Sequence, residues 1–175
     1  MKVYLASDHA GFKLKEKIKV YLKGNGFEAE DLGDYSFVPD DDYPDFISNA
    51  AEKVSEDPEN SRAIIFGGSG QAEAMLANKF PHVRCALFYS AAAPVEAADI
   101  TGRESDDPFE MIRLTREHNN ANILSLGARF LTETDAKKAV KAWLDQAFTK
   151  APRHVRRLKK VEDIVNGRNN SGNFE

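Results

Sequence analysis

The chain has 175 residues, of which 42% are hydrophobic and 30% charged, with a formal net charge of −4. That length suits one domain with a core of its own, and the composition excludes a disordered or low-complexity chain. Cys85 is the single cysteine, which excludes an intramolecular disulfide and points to a reducing compartment, and it and the four histidines are scattered without zinc or iron ligand spacing.

Lys2 to Ala6 reads as a first strand, and Ser7-Asp8-His9-Ala10-Gly11 as the turn after it. This N-terminal stretch has too few apolar residues for a signal-peptide core, and no other stretch approaches a membrane span, so a cytoplasmic protein without membrane contacts is expected. The spacing predicts a helix over Phe12 to Lys23, with Leu14, Ile18, Tyr21 and Leu22 on one face and lysines on the other, stopped by Gly24-Asn25-Gly26. Phe27 to Leu32 is a second strand, polar enough to lie near a sheet edge. Gly33 to Tyr43 forms an acidic loop, and Pro44 opens a helix to about Glu56 with Phe46, Ile47, Ala50, Ala51 and Val54 inward.

Ala63 to Phe66 is a short apolar run bounded by glycine, as in a strand buried on both faces of a parallel sheet. Gly67-Gly68-Ser69-Gly70 follows, and then a helix over Gln71 to Lys79 whose apolar face is assigned to Ala72, Met75 and Leu76. Val83 to Phe88 is a fourth strand, which places Cys85 in a core as an inert thiol. Tyr89 to Ala98 is alanine-rich and reads as helix, whereas Asp99 to Pro108 is polar and reads as a loop inserted between helical pieces. Phe109, Ile112 and Leu114 then lead to Glu117-His118-Asn119-Asn120. Asn122 to Leu126 is a fifth strand, and Thr132 with Asp135 caps a helix to about Phe148. Pro152 opens a last helix through Val165, before a polar tail at 167–175. Alternating strands and helices predict a three-layer α/β/α domain over 1–166, built on a five-stranded, mainly parallel sheet with a C-terminal helix.

Strand ends are where open α/β sheets bind ligands, and here they carry polar residues each time. The first ends at Asp8 and His9, the third at Gly67 to Gly70, and the fifth leads to Arg129. The glycines free backbone N–H groups to converge at a helix start, which favours negative charge. Glu73 lies one turn into that helix, about a quarter-turn from the apolar face, where it either flanks the cradle or only complements the helix dipole. Each of the others also has a plain structural alternative. Asp8 would cap the next helix, His9 and His118 would be surface histidines, and Arg129 would pair with an acid such as Glu133. Arg153 and Arg157 share a helix face, which makes either a solvated face or a phosphate clamp. His118 and Asn119 precede the fifth strand and so belong at its opposite end; a bent loop or a second subunit would have to bring them to the cradle. Lys150 to Arg168 carries a local charge of +5, but it lacks interleaved aromatics, so no nucleic-acid partner is expected. Gly67-Gly68-Ser69-Gly70-Gln71 is not the nucleophile elbow of a serine hydrolase.

Taken together, Ser7-Asp8-His9-Ala10-Gly11, Asp42-Tyr43-Pro44-Asp45, Gly68-Ser69-Gly70 with Ala77-Asn78-Lys79, His118 to Asn122 with Gly127-Ala128-Arg129, and Arg153 to Arg157 resemble the ribose-5-phosphate isomerase B family, which includes galactose-6-phosphate isomerase subunits. The resemblance covers most of residues 1 to 164. It implies a Rossmann-like fold, no cofactor or metal, and a homodimer, or a tetramer built from it, with active sites shared between subunits. It also implies an aldose–ketose isomerisation of a sugar phosphate through an enediolate, most directly ribose 5-phosphate to ribulose 5-phosphate. A six-carbon aldose phosphate as substrate, or a non-catalytic sugar-phosphate or nucleotide module, is the alternative. By position, Glu73 becomes the base, Ser69 a proton shuttle beside the Gly68 and Gly70 N–H groups, and His118 the ring opener, with Asp8 and Asn119 orienting hydroxyls. His9, Arg129, Arg153 and Arg157 become the phosphate grip. Many relatives carry a cysteine base where this chain has Gly67, and others carry glutamate where it has Glu73. Ala72 replaces a usual glycine, and the loop at 99–108 is longer than the family pattern.

Overall fold

The computed structural model describes residues 1–170. Five strands, β1 (Lys2–Ser7), β2 (Ala29–Asp31), β3 (Ser61–Gly67), β4 (Cys85–Phe88) and β5 (Ile123–Gly127), form one sheet in the order β2-β1-β3-β5-β4, every pairing parallel. Central β3 is buried at all seven positions, and the polar β2 sits at an edge as its sequence predicts. Helices α1 (Phe12–Gly24), α4 (Glu110–Glu117) and α5 (Glu133–Asp145) cover one face, around Leu5, Ile18, Phe66, Leu124 and Trp143. Helices α2 (Tyr43–Glu56) and α3 (Gln71–Ala77) cover the other, around Ile47, Val54, Ile65 and Ile123. The alternation of side chains along each strand feeds both layers, which is why the strands read as continuous apolar runs. The chain moves outward from β1 in both directions, to β2 on one side and to β3 on the other, so the carboxyl ends of β1 and β3 flank a topological switch point.

Thr132 caps α5 by accepting a bond from the Asp135 N–H at 3.0 Å, as expected, although that helix ends at Asp145 rather than Phe148. Helix α6 (Pro152–Asn170) is longer than its pattern suggests, running through the first part of the expected tail; 171–175 lie outside the described residues. Among the described residues no helix is long and apolar enough to cross a membrane.

Three expectations are corrected. Tyr89 to Ala98 is not helical. Pro94 has no N–H to give, and the alanine run has no large apolar face to bury, so the backbone bonds elsewhere: Ala92 N–H to Pro108 C=O at 3.0 Å, and Ala98 N–H to Arg103 C=O at 2.7 Å. The segment from Tyr89 to Pro108 is therefore one long closed loop. It is fastened to α4 by Arg103, which pairs with Glu110 at 2.9 Å and Glu117 at 3.1 Å. Second, the α3 face is turned: Glu73, Ala74 and Ala77 are buried, whereas Met75 is 67% exposed. Third, Lys15 is not on a solvated face. It is fully buried, with Nζ at 2.6 Å from Asp31 Oδ1 and 2.5 Å from the Asp34 carbonyl. Those oxygens offset its desolvation and tie the acidic loop down against α1.

Candidate active site

The glycine turn between β3 and α3 is shaped by close contact. Gly70 has φ 75°, and a Cβ there would come within 2.8 Å of Leu87 Cδ1 and 3.1 Å of the Gly127 nitrogen. Only glycine accepts both the left-handed backbone and the approach to β5. The Ser125 hydroxyl, buried in β5, donates to the Gly70 carbonyl at 2.7 Å and fixes the turn from below. The N–H groups of Gly68, Ser69 and Gly70 meet no acceptor among the described residues. They are available to a ligand, with Ser69 partly exposed beside them.

Glu73 closes one side of this turn. It is only 4% exposed, and its Oε2 has no hydrogen-bond partner. Burial pushes its carboxyl above the usual glutamate range, and the nearby Asp8 charge adds to that, against a lowering contribution from its own backbone N–H. Its expected place off the buried face is thus corrected: it lies on that face and points at Gly67. A Cβ at Gly67 would overlap the Glu73 carboxylate. Glycine at 67 and an inward glutamate at 73 are therefore one feature, and a cysteine at 67 could not share the space.

The raised value has a consequence for stability. The neutral carboxyl is the form the fold favours; its contribution is complete below the ordinary glutamate pKa and is lost as pH rises through the raised value. Glu73→Gln keeps the shape without the charge. It is expected to unfold at higher denaturant than wild type near neutral pH, with the difference shrinking toward acid pH in urea titrations.

At the end of β1, Asp8 is 7% exposed and its Oδ1 accepts the Gly11 N–H at 3.0 Å, so it does serve the turn into α1. His9 is held twice by Asp41, whose Oδ1 lies 2.6 Å from Nδ1 and accepts the His9 N–H at 2.9 Å. That bond raises the imidazole pKa against the lowering effect of desolvation and of Arg129. Asp41 was not among the sequence candidates. Its signal was its place in the acidic run just before Tyr43-Pro44, but nothing local said which of three aspartates turns inward. Arg129 does not pair with Glu133, which is engaged by Lys17 at 2.9 Å and Lys137 at 2.6 Å. Instead the Arg129 N–H donates to the Gly68 carbonyl at 3.0 Å, and its guanidinium lies against Gly68 with no carboxylate partner among the described residues.

The other candidates gather elsewhere. His118 is the C-cap of α4, at the amino end of β5, and its ring lies 4.2 Å from that of His154. His154 is buried, accepts from Arg153 Nε at 2.9 Å, and has its pKa lowered by desolvation, with His118, Arg153 and Arg157 adding to the effect. Asn119 and Arg157 are exposed beside this pair. Within one chain, then, Asp8, His9, Gly68, Ser69, Gly70, Glu73 and Arg129 meet at the carboxyl ends of the strands. His118, Asn119, Arg153 and Arg157 form a second group at the opposite end.

Among the described residues, two sets of side chains have donor atoms within 4.8 Å of one another, Asp8 with His9 and Asp41, and Asp99 with Glu117 and His118. In the first, His9 Nδ1 is already hydrogen-bonded to Asp41; in the second, Glu117 is ion-paired to Arg103. Cys85, half-buried in the edge strand, has its thiol pKa pushed up by burial, the opposite of what a nucleophile requires.

A profile of the ribose/galactose isomerase family matches residues 3–101 and 106–161. The chain is 41% identical over 158 residues to ribose-5-phosphate isomerase B of Mycolicibacterium paratuberculosis, covering 90% of this chain and 87% of the relative. Among solved structures, ribose-5-phosphate isomerase B of Mycoplasma genitalium with bound ribulose 5-phosphate superposes with a TM-score of 0.81 at 33% identity, covering 94% of this chain and 96% of that one. The Clostridium thermocellum enzyme gives a TM-score of 0.80 at 34% identity, over 95% and 99% of the two chains. With the sheet order, the switch-point site and these likenesses in agreement, the chain belongs to the ribose/galactose isomerase family.

Proposed function

We propose that the protein interconverts ribose 5-phosphate and ribulose 5-phosphate, with Glu73 moving the proton between C2 and C1. The observation that carries this reading is a buried carboxylate with an oxygen that has no partner among the described residues, facing a turn of N–H groups that have none there either. An isomerase of this kind needs a base that is unsolvated enough to be basic, and donors placed where the enediolate oxygen gains charge. Glu73 removes the C2 proton of the open-chain aldose and returns it at C1. The Gly68 to Gly70 N–H groups hold the developing oxyanion, and Ser69 relays the hydroxyl proton.

His118 would open the ring, with Asp8 and Asn119 orienting hydroxyls. Since His118, Asn119, Arg153 and Arg157 lie at the far end of the sheet, a second copy of the chain would supply them, in a homodimer whose sites are each made from both subunits. His9 and Arg129 of one chain and Arg153 and Arg157 of the other then grip the phosphate, where arginine forks suit its oxygens.

A coupled isomerase assay over ribose 5-phosphate and six-carbon aldose phosphates tests the reading, together with solvent-deuterium incorporation at C1 or C2. Turnover and exchange are expected with the pentose. Binding of sugar phosphate without exchange would reduce the protein to a carrier, and turnover confined to a hexose phosphate would move the substrate assignment. Asp41 provides a separate check on the phosphate grip. Asp41→Asn should lower the pKa of His9, and the KM for sugar phosphate should rise about tenfold at mildly alkaline pH with little change in kcat.

A further inference from the structure

A second concentration of positive charge lies at the amino end of the sheet and takes no part in the proposed chemistry. Arg62 at the start of β3, Arg116 on α4 and Lys150 just before α6 line one cavity of about 500 Å³, with Asn120, Phe148 and a single acid, Glu59. Arg62 and Arg116 are 8% and 6% exposed, so neither is a solvated surface arginine. Their hydrogen bonds go to neutral oxygens. Arg62 Nη1 donates to the carbonyls of Pro58, Glu59 and Ser61. Arg116 donates from Nε to the Gln146 carbonyl, and from Nη1 to the Ala121 carbonyl at 2.5 Å and to Asn120 Oδ1 at 2.9 Å. The Nη2 amine of each guanidinium has no partner among the described residues.

Two buried arginines lining one cavity with a single acid beside them are costly. The cost is visible at Arg116, whose pKa falls to about 10 through desolvation, with Arg62 and Arg84 adding to it and Glu59 opposing. An anion in the cavity that Arg62, Arg116 and Lys150 line would relieve it, and guanidinium forks favour the paired oxygens of a phosphate group. The cavity is larger than a phosphate alone requires, and Phe148 in its lining offers apolar surface for an organic remainder. We propose that this cavity is a second anion site, taking the phosphate group of a small organic phosphate in addition to the sugar-phosphate site. Arg116 precedes His118 by two residues and holds Asn120, so an occupant bears directly on the turn that carries His118 and Asn119.

Equilibrium dialysis against inorganic phosphate tests the site on the intact protein. Wild type is expected to bind two phosphates per chain. Lys150→Gln, at an exposed position that leaves the fold alone, should weaken one of them about tenfold with unchanged turnover. Arg153→Ala should weaken only the other. If Lys150→Gln and a folded Arg62→Gln both keep wild-type stoichiometry and affinity, the cavity is not an anion site. If instead Arg153→Ala changes nothing while Lys150→Gln removes binding, the cavity stands and the proposed role of Arg153 falls.

Discussion

Glu73→Gln is expected to lower turnover of ribose 5-phosphate by about 10³-fold while leaving sugar-phosphate binding within a few-fold of wild type. The amide fills the same buried space and keeps the backbone of α3 in place, so the loss would report the missing base rather than a collapsed site. Stopped or single-turnover kinetics with C2-deuterated substrate separate the two cases: a variant that binds but cannot exchange the C2 hydrogen supports the role. Turnover near wild type would remove Glu73 from the mechanism. With Glu73 as the proposed base, wild-type kcat/KM should climb through a pH higher than an ordinary glutamate would give, because burial favours the neutral carboxyl and a base works only when ionised. That rising limb should vanish in the glutamine variant.

Gly67→Ala is the second change with a large expected effect. Its Cβ would occupy the position of the Glu73 carboxylate. The glutamate is the flexible partner, so it gives way, and the fold should survive with a modest loss of stability. The carboxylate, however, can no longer face the turn, and a displacement on the order of 1 Å at a reacting group costs roughly 10²-fold in rate. Activity and thermal unfolding measured on the same preparation test this: lost turnover in a folded protein is expected, and retained turnover would show that the base tolerates another position. Gly67→Cys alone should fail for the same steric reason, whereas Gly67→Cys combined with Glu73→Ala frees the space for a thiol and should recover part of the exchange.

Most of the fold was legible because it is written in local patterns. The buried run from Ala63 to Phe66, the Thr132 cap and the glycines around residue 68 each carry a short-range physical requirement that the structure repeats. The grouping at the carboxyl ends of the strands followed from the same logic, since Asp8, His9 and the glycine turn come directly after strands. Where long-range packing decides, the pattern misled. Tyr89 to Ala98 has helix-forming composition but no face to bury and a proline within it. On α3, Met75 suggested the inner face, yet it is exposed and the small Ala74 and Ala77 lie buried there with Glu73, while Leu76 packs partly buried at the edge of the core, because that helix packs close against α2 and β3. Asp41 escaped notice because its partner is far away in sequence, 32 residues from His9. His154 escaped for a similar reason, its close, tilted ring contact with His118 depending on how α6 docks at the end of α4.

The bond between Ala92 and Pro108 has a consequence for how this chain could have diverged. Because it brings the two ends of the long loop together, the doorway between β4 and α4 is set at Ala92 and Pro108, while Arg103 and Ser105 inside the loop hold it against Glu110 and Glu117 of α4. Extra length in such a closed excursion costs the folded state little, growing only with the logarithm of its size. Changes of length away from Arg103 and Ser105 are therefore nearly invisible to the sheet, which makes this loop a part of the molecule where sequence can change with little interference from stability.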